Sequence, residues 1–206
     1  IAEDAAVTIT GNVAVAVIQA ILDATTGKVT ATLEADIADN IATALDDNEV
    51  NAINVTVIGT TVAPTADAGD LLDIKDLTSG KITVSAKAVE GSFDELKELY
   101  ITSKGKFTAL GDENVTITGT VSAADANIIA KAVNGKVTAA NIEADTAAAL
   151  VASLKDAKAT NALTLKVNGE SAKASELNVL DGKTSGTVTV DAAVVISGNI
   201  ADLTKV

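Results

Sequence analysis

Short runs of alternating apolar and polar residues recur along this chain. They are separated by stretches in which apolar residues return every three or four positions. The alternating runs lie at 29–33, 53–58, 82–85, 106–109, 137–142, 163–167 and 187–190, and each is rich in β-branched residues and bounded by Gly or Asn. Those are the marks of strands. Their starts fall roughly 24 to 30 residues apart. Between them Ile37, Ile41 and Leu45 recur at four-residue spacing, and Leu150, Val151 and Leu154 form a matching stripe, as on the inner face of a helix. Ser92-Phe93-Asp94-Glu95 has the form of a capping box, and Ser122-Ala123-Ala124-Asp125 is a shorter-armed version of it. Gly27, Gly80, Gly105, Gly135 and Gly186 each stand between a helical stretch and a strand, where a left-handed helix cap is expected. Alternating strand and helix with short connections predicts an α/β fold with parallel strands and helical crossovers. The candidate core is Val29, Ile53, Ile82, Val137, Leu163 and Val188 in strands, with Ile41, Leu45, Leu150 and Leu154 in helices.

A longer period lies over this beat. Val7-Thr8-Ile9-Thr10-Gly11 returns as Val115-Thr116-Ile117-Thr118-Gly119, an offset of 108 (115 − 7). Gly27-Lys28-Val29-Thr30 returns as Gly135-Lys136-Val137-Thr138 at the same offset (135 − 27). Repetition of this kind builds length, and the architecture it predicts is a repeat protein: either solenoid-like coils of about 26 residues or two tandem α/β modules. The strands at 7–10 and 115–118 break the beat; the second follows the polar turn Gly111-Asp112-Glu113-Asn114 and reads as a hairpin or a strand switch that opens a new module. The modules are then 1–111 and 112–206, the second incomplete at its C-terminus, because 198–203 matches 91–96 and the chain stops soon after.

Composition narrows the function. Apolar residues make up 48%, yet Tyr100, Phe93 and Phe107 are the only aromatics, so the interior is built of Ala, Val, Ile and Leu. There is no Cys, His, Met, Trp or Arg, and the net charge is −13. That balance argues against nucleic acid and against an anionic membrane surface. No apolar run approaches the ~18 residues of a membrane span. Without His, Cys or Arg the usual bases, thiol nucleophiles and phosphate clamps are missing, so no enzyme activity is expected. The Gly-Lys-Val-Thr words lack the spacing of a phosphate loop, and a strand follows them rather than a helix.

The metal-site candidates are oxygen ligands only. Asp46, Asp47 and Glu49 crowd one loop, as Ca²⁺ requires, and Asp112 and Glu113 stand together at the module seam. The stretch matching the first loop, 156–161, keeps only Asp156 and Asn161. Solvated turns are therefore the expected state, and no cofactor is expected. Thr30, Thr56, Thr83, Thr108, Thr138, Thr164 and Thr189 hold similar places in successive strands and predict a threonine ladder on one sheet face. Asn54-Val55-Thr56 and Asn114-Val115-Thr116 fit the N-glycosylation pattern.

Ala174-Ser175-Glu176-Leu177-Asn178-Val179-Leu180-Asp181-Gly182-Lys183-Thr184-Ser185-Gly186 resembles the "AAELNxLDGxTSG" word. That word recurs in bacteriophage tail-fibre and virion proteins and in very long surface proteins of cyanobacteria and other aquatic bacteria. The resemblance implies an extracellular, cell-surface or virion repeat protein and carries over no functional residues. The expected role is a non-enzymatic structural segment of a fibre, surface layer or stalk, with a binding module, an adhesin or a phage host-recognition fibre, as the alternative. The expected partners are further copies, as a homo-oligomer or head-to-tail polymer, or adjacent modules of the same chain.

Overall fold

In the computed structural model, residues 2–45, 51–59 and 64–206 are described. The chain forms two compact units, one of Ile1–Gly91 with Glu98–Glu113, the other of Ser92–Lys97 with Asn114–Val206. Both are α/β, and every strand pairing within each unit is parallel.

The first unit runs β1 (Val7–Val13), α1 (Val15–Leu22), β2 (Val29–Leu33), α2 (Ala38–Ala44), β3 (Ala52–Val57), β4 (Thr65–Asp67), α3 (Ala68–Leu77), β5 (Ile82–Val84) and β6 (Ala88–Gly91). After α4 (Phe93–Lys97), which belongs to the second unit, it resumes with a π-helical turn at Glu98–Thr102, a 3₁₀ turn at Lys104–Lys106 and β7 (Phe107–Thr108). Its main sheet has the order β1-β2-β3-β5-β7, and β4 pairs with β6. Each strand lies against the next of its kind in sequence. Val7 faces Val29 and Val55 faces Ile82, separations of 22 (29 − 7) and 27 (82 − 55).

The second unit runs β8 (Asn114–Val121), α5 (Ala123–Ala132), β9 (Val137–Ile142), α6 (Ala147–Ser153), β10 (Ala162–Leu163), β11 (Leu165–Val167), β12 (Ser171–Lys173), α7 (Ala174–Asp181), β13 (Val188–Val190), β14 (Val195–Ser197) and α8 (Ile200–Leu203). Here β8 pairs with β9, β9 with β10, β11 with β13 and β12 with β14. Because β8 pairs in parallel with β9, and β7 in parallel with β5, the polar turn at 111–114 does not close an antiparallel hairpin.

Alternation decides which side of each strand is covered. In β2 the pattern is strictly buried, exposed, buried, so Val29, Ala31 and Leu33 face the helices and Thr30 and Thr32 face out. The core holds Ile53, Ile82, Val137, Leu163, Ile41, Leu45, Leu150 and Leu154 as the pattern predicts, while Val188 is only half-buried. The strands β1 and β8 carry a register shift after Thr8 and Ile117. Gly11 and Gly119 sit inside those shifts at φ 84 and 75. A bulge with a left-handed glycine bends a strand and lets its two halves serve different stretches of the neighbour.

Side chains close the helix ends as the sequence predicts. Ser92 Oγ donates to Glu95 Oε2 at 2.8 Å, and the Ser92 N–H donates to the same oxygen at 2.7 Å. Ser122 Oγ accepts from the Asp125 N–H at 3.1 Å.

Candidate functional site

The recurring polar chemistry of this chain is directed at its own backbone. Thr78-Ser79-Gly80 and Thr184-Ser185-Gly186 each form the same tie between the start of one strand and the start of the strand before it, and Thr25-Thr26-Gly27 forms a version of it with one bond fewer, to Ala5 just ahead of β1. Thr78 Oγ1 accepts from the Ile53 N–H at 2.9 Å and from the Gly80 N–H at 3.0 Å, and donates to the Ile53 carbonyl at 2.8 Å. Thr184 Oγ1 repeats this with Leu163 N–H (2.8 Å), Gly186 N–H (2.8 Å) and the Leu163 carbonyl (2.8 Å). Thr25 Oγ1 donates to the Ala5 carbonyl at 2.7 Å and accepts from Gly27 N–H at 3.0 Å. All three threonines are buried. One hydroxyl thus uses its donor and its lone pairs fully, which is what burial demands of a polar group.

The next residue adds a second stitch. Ser79 Oγ donates to the Asn51 carbonyl at 2.7 Å, Ser185 Oγ to the Asn161 carbonyl at 2.9 Å, and Thr26 Oγ1 to the Glu3 carbonyl at 2.9 Å. Asn51 and Asn161 pass the tie backwards. Asn51 Oδ1 accepts from the Val29 N–H at 2.9 Å and Asn161 Oδ1 from the Val137 N–H at 3.0 Å. Both amides are buried. Each Asn therefore joins the strand before it to the strand after it.

The glycine of the tie is there for space, not for a left-handed cap. Gly27, Gly80, Gly105, Gly135 and Gly186 are absent from the positive-φ residues, which correct the cap expectation; the positive-φ glycines are Gly11, Gly111, Gly119 and Gly169. A Cβ on Gly80 would stand 2.1 Å from the Ile53 carbonyl oxygen, and one on Gly186 would stand 2.4 Å from that of Leu163. The threonine can reach the previous strand only because the backbone approaches this closely.

The word at 174–186 is accounted for along its length. Ala174, Leu177 and Leu180 are buried on the inner face of α7. Glu176 Oε2 accepts from the Lys173 N–H at 3.3 Å and closes the helix start. Asn178 Nδ2 donates to the Asp202 carbonyl at 3.1 Å. Thr184, Ser185 and Gly186 make the tie.

Of the predicted ligand residues, the pair at the seam is described. Asp46, Asp47 and Glu49 lie outside the described residues. At the seam Asp112 is exposed, whereas Glu113 is buried and engaged. Tyr100 Oη donates to Glu113 Oε1, and the Gly111 N–H donates to Oε1 at 3.1 Å and Oε2 at 2.9 Å. Burial first, then the hydrogen bond to Glu113 and its charge, push the Tyr100 phenol far above its ordinary value. Glu113, expected in a solvated turn, is instead a buried anchor that fixes the 109–113 turn on the π-helical turn. A second group of acids gathers where Asp39 on α2 meets Asp67, the last residue of β4, and Asp70 and Asp73 on α3; burial, followed by the charges of Asp67, Asp39 and Asp73, raises the Asp70 carboxyl. Among the described residues no three His, Cys, Asp or Glu side chains are placed to hold a metal ion. Among those residues, too, no helix is long and apolar enough to cross a membrane.

The threonine ladder is broken into short runs. Thr56 faces Thr83, and Thr83 faces Thr108 with their hydroxyls 3.0 Å apart. Thr30 instead faces Ala52, Thr138 faces Ala162 and Thr189 faces Lys166. The spacing between partners varies from strand to strand, so equal places in the sequence do not become equal places in the register. The two glycosylation-pattern residues hold backbone as well. Asn54 Oδ1 accepts from the Lys81 N–H at 2.8 Å and Asn114 Oδ1 from the Lys136 N–H at 3.1 Å.

The chain was compared with protein-family models, curated proteins and solved structures, and none of them matches it.

Proposed function

We propose that this chain is a non-enzymatic structural segment of an extracellular fibre, surface layer or stalk, built as a solenoid-like stack of parallel coils. The observation that carries the reading is the tie at 25–27, 78–80 and 184–186. Side-chain chemistry is spent on fastening one strand to the one before it, in the same way each time. A stack whose neighbours are fastened alike extends by repetition, and its stability accumulates coil by coil. The absence of Cys, His, Met and Trp also leaves little for oxidation to attack, which suits a durable exposed object. The word at 174–186 supports the extracellular or virion setting.

Two measurements test this. Antibodies raised against the chain should label intact cells or intact virions of the source; labelling only after permeabilisation overturns the extracellular placement. Pulling the chain by its two ends in a force microscope should give discrete unfolding steps. Smooth extension without resistance overturns the structural role.

A further inference from the structure

Two recurring words that neither the core nor the ties employ in full come together on one sheet face. Gly80-Lys81-Ile82-Thr83 and Gly105-Lys106-Phe107-Thr108 share the form of Gly27-Lys28-Val29-Thr30 and Gly135-Lys136-Val137-Thr138. In each the apolar residue is buried, so the Lys before it and the Thr after it take the opposite, outer side of the sheet. Lys81 and Lys106 are exposed and directly precede the facing residues Ile82 and Phe107. The two lysines therefore stand abreast on neighbouring strands, whose backbones run about 4.8 Å apart. On the far side of Lys81 is Asn54 of β3, whose Oδ1 accepts the Lys81 N–H at 2.8 Å. Two residues along, Thr56 faces Thr83 and Thr83 faces Thr108. One row is thus Asn54, Lys81 and Lys106, and the next is Thr56, Thr83 and Thr108.

The second unit builds part of the same array from its own strands. Val115 faces Val137, which sets Asn114 beside Lys136, and Thr116 faces Thr138. Asn114 Oδ1 accepts the Lys136 N–H at 3.1 Å, as Asn54 does for Lys81.

Charge sets this face apart. Like charges side by side on neighbouring strands oppose each other. The chain has 28 acids to set against its 15 lysines, and one acid beside Lys81 or Lys106 would relieve the repulsion. Among the described residues the ion pairs belong to Lys75, Lys166 and Lys173 instead. The strands β4 and β6 do the reverse, with Asp67 facing Glu90. The outer face of β3, β5 and β7 is a positive plate rich in hydroxyls, on a protein of net charge −13.

We propose that this plate binds an acidic polysaccharide, with carboxylates against Lys81 and Lys106 and sugar hydroxyls against Asn54, Thr56, Thr83 and Thr108. Charge complementarity selects the anion. The neutral amide and hydroxyl groups select a polyol: threonine is stiff at χ1, and the Thr83 and Thr108 hydroxyls, 3.0 Å apart, are already linked. The plate has no aromatic residue on which a base could stack, as single-stranded nucleic acid needs. The inference adds a ligand to the structural-segment reading and does not depend on it.

The test is fluorescence anisotropy of labelled alginate oligosaccharides, which are uronic acid chains, titrated with the intact protein at low salt. A chelator is present so that no divalent cation bridges carboxylate to carboxylate. Labelled dextran is the neutral probe and single-stranded DNA the phosphate probe. Wild type should bind alginate, release it as salt rises, and leave dextran free. Lys81→Gln combined with Lys106→Gln should weaken binding at least about tenfold, as loss of hydrogen bonds to a charged group does. Lys131→Gln, at an exposed position of α5, should leave binding unchanged. Thr83→Val should weaken binding without altering its salt dependence. The double lysine variant should melt no lower than wild type, because it loses a repulsion, so its weaker titration is not unfolding. Absent binding to alginate, equal binding to dextran, tighter binding to single-stranded DNA, or binding indifferent to the two lysines overturns the proposal. Each of those results leaves the surface labelling and stepwise unfolding of the structural reading untouched.

Discussion

Thr184 puts one hydroxyl against the buried N–H and carbonyl of Leu163 and the half-buried Gly186 N–H. Thr184→Val keeps the shape and removes all three bonds, leaving the Leu163 N–H and carbonyl buried without a partner. The expected loss is about 2 to 4 kcal/mol, since each orphaned buried group costs about 1–3. Ser185→Ala, which removes one partly exposed bond, should cost about 1 kcal/mol or less. Denaturant unfolding checks both, and equal losses would deny Thr184 its role. Gly186 and Gly182 make a second pair. Gly186→Ala drives a methyl into the Leu163 carbonyl and should be the more damaging, whereas on Gly182 a Cβ meets nothing nearer than 3.5 Å. Gly182→Ala, at φ −70, should gain about 0.4–1 kcal/mol through the unfolded chain. Tyr100 adds a pH-dependent term. Its folded pKa lies above the unfolded value of about 10, so its contribution is complete below pH 10 and falls as pH rises past it. The difference in stability between wild type and Tyr100→Phe should therefore shrink on going above pH 10, read from denaturation at several pH values.

The strands that a sequence reader finds are those with two or three inward-facing residues. The strands β2, β3 and β9 have them, and their alternation is plain. The short strands are not legible, because β4, β6 and β12 are three or four residues long and bury essentially one apolar side chain each: Ala66, Val89 and Ala172. Thr-Ala-Asp or Ser-Ala-Lys reads as a turn; only the neighbouring strand makes it a strand. The Thr-Ser-Gly end of the word at 174–186 is legible, but its purpose is not, since it depends on a contact with residues more than twenty positions earlier. The burial of Glu113 is hidden for the same reason: its partner Tyr100 comes from another element. The bulges give an element-scale test. Gly119 has open space around a would-be Cβ but sits at φ 75. Gly119→Ala should cost about 1–2 kcal/mol from the left-handed backbone alone, and Gly119→Asn less, as calorimetric melting would show.

Across the whole molecule charge and packing pull in different directions. The interior is aliphatic, while 28 acids against 15 lysines leave −13 to repel itself. Among the described residues Lys166 and Asp191, 3.2 Å apart, form an exposed pair of small worth. Raising salt from about 0.01 M to about 0.15 M shortens the Debye length from about 30 Å to about 8 Å and should raise the melting temperature. A melting temperature that falls would mean attractive pairs outweigh the net repulsion.

The threonine ties all point backwards. Thr25 reaches Ala5, Thr78 reaches Ile53 and Thr184 reaches Leu163, separations of 20, 25 and 21 residues. No tie waits for a residue that has yet to be made. A growing chain leaving the ribosome finds its template already behind it, at synthesis rates of about 5–20 residues per second. Sheet proteins usually fold slowly because their partners are far apart in sequence; here the distance is short and nearly constant. Each tie therefore finds its partner already synthesised, and none of the three spans more than 25 residues.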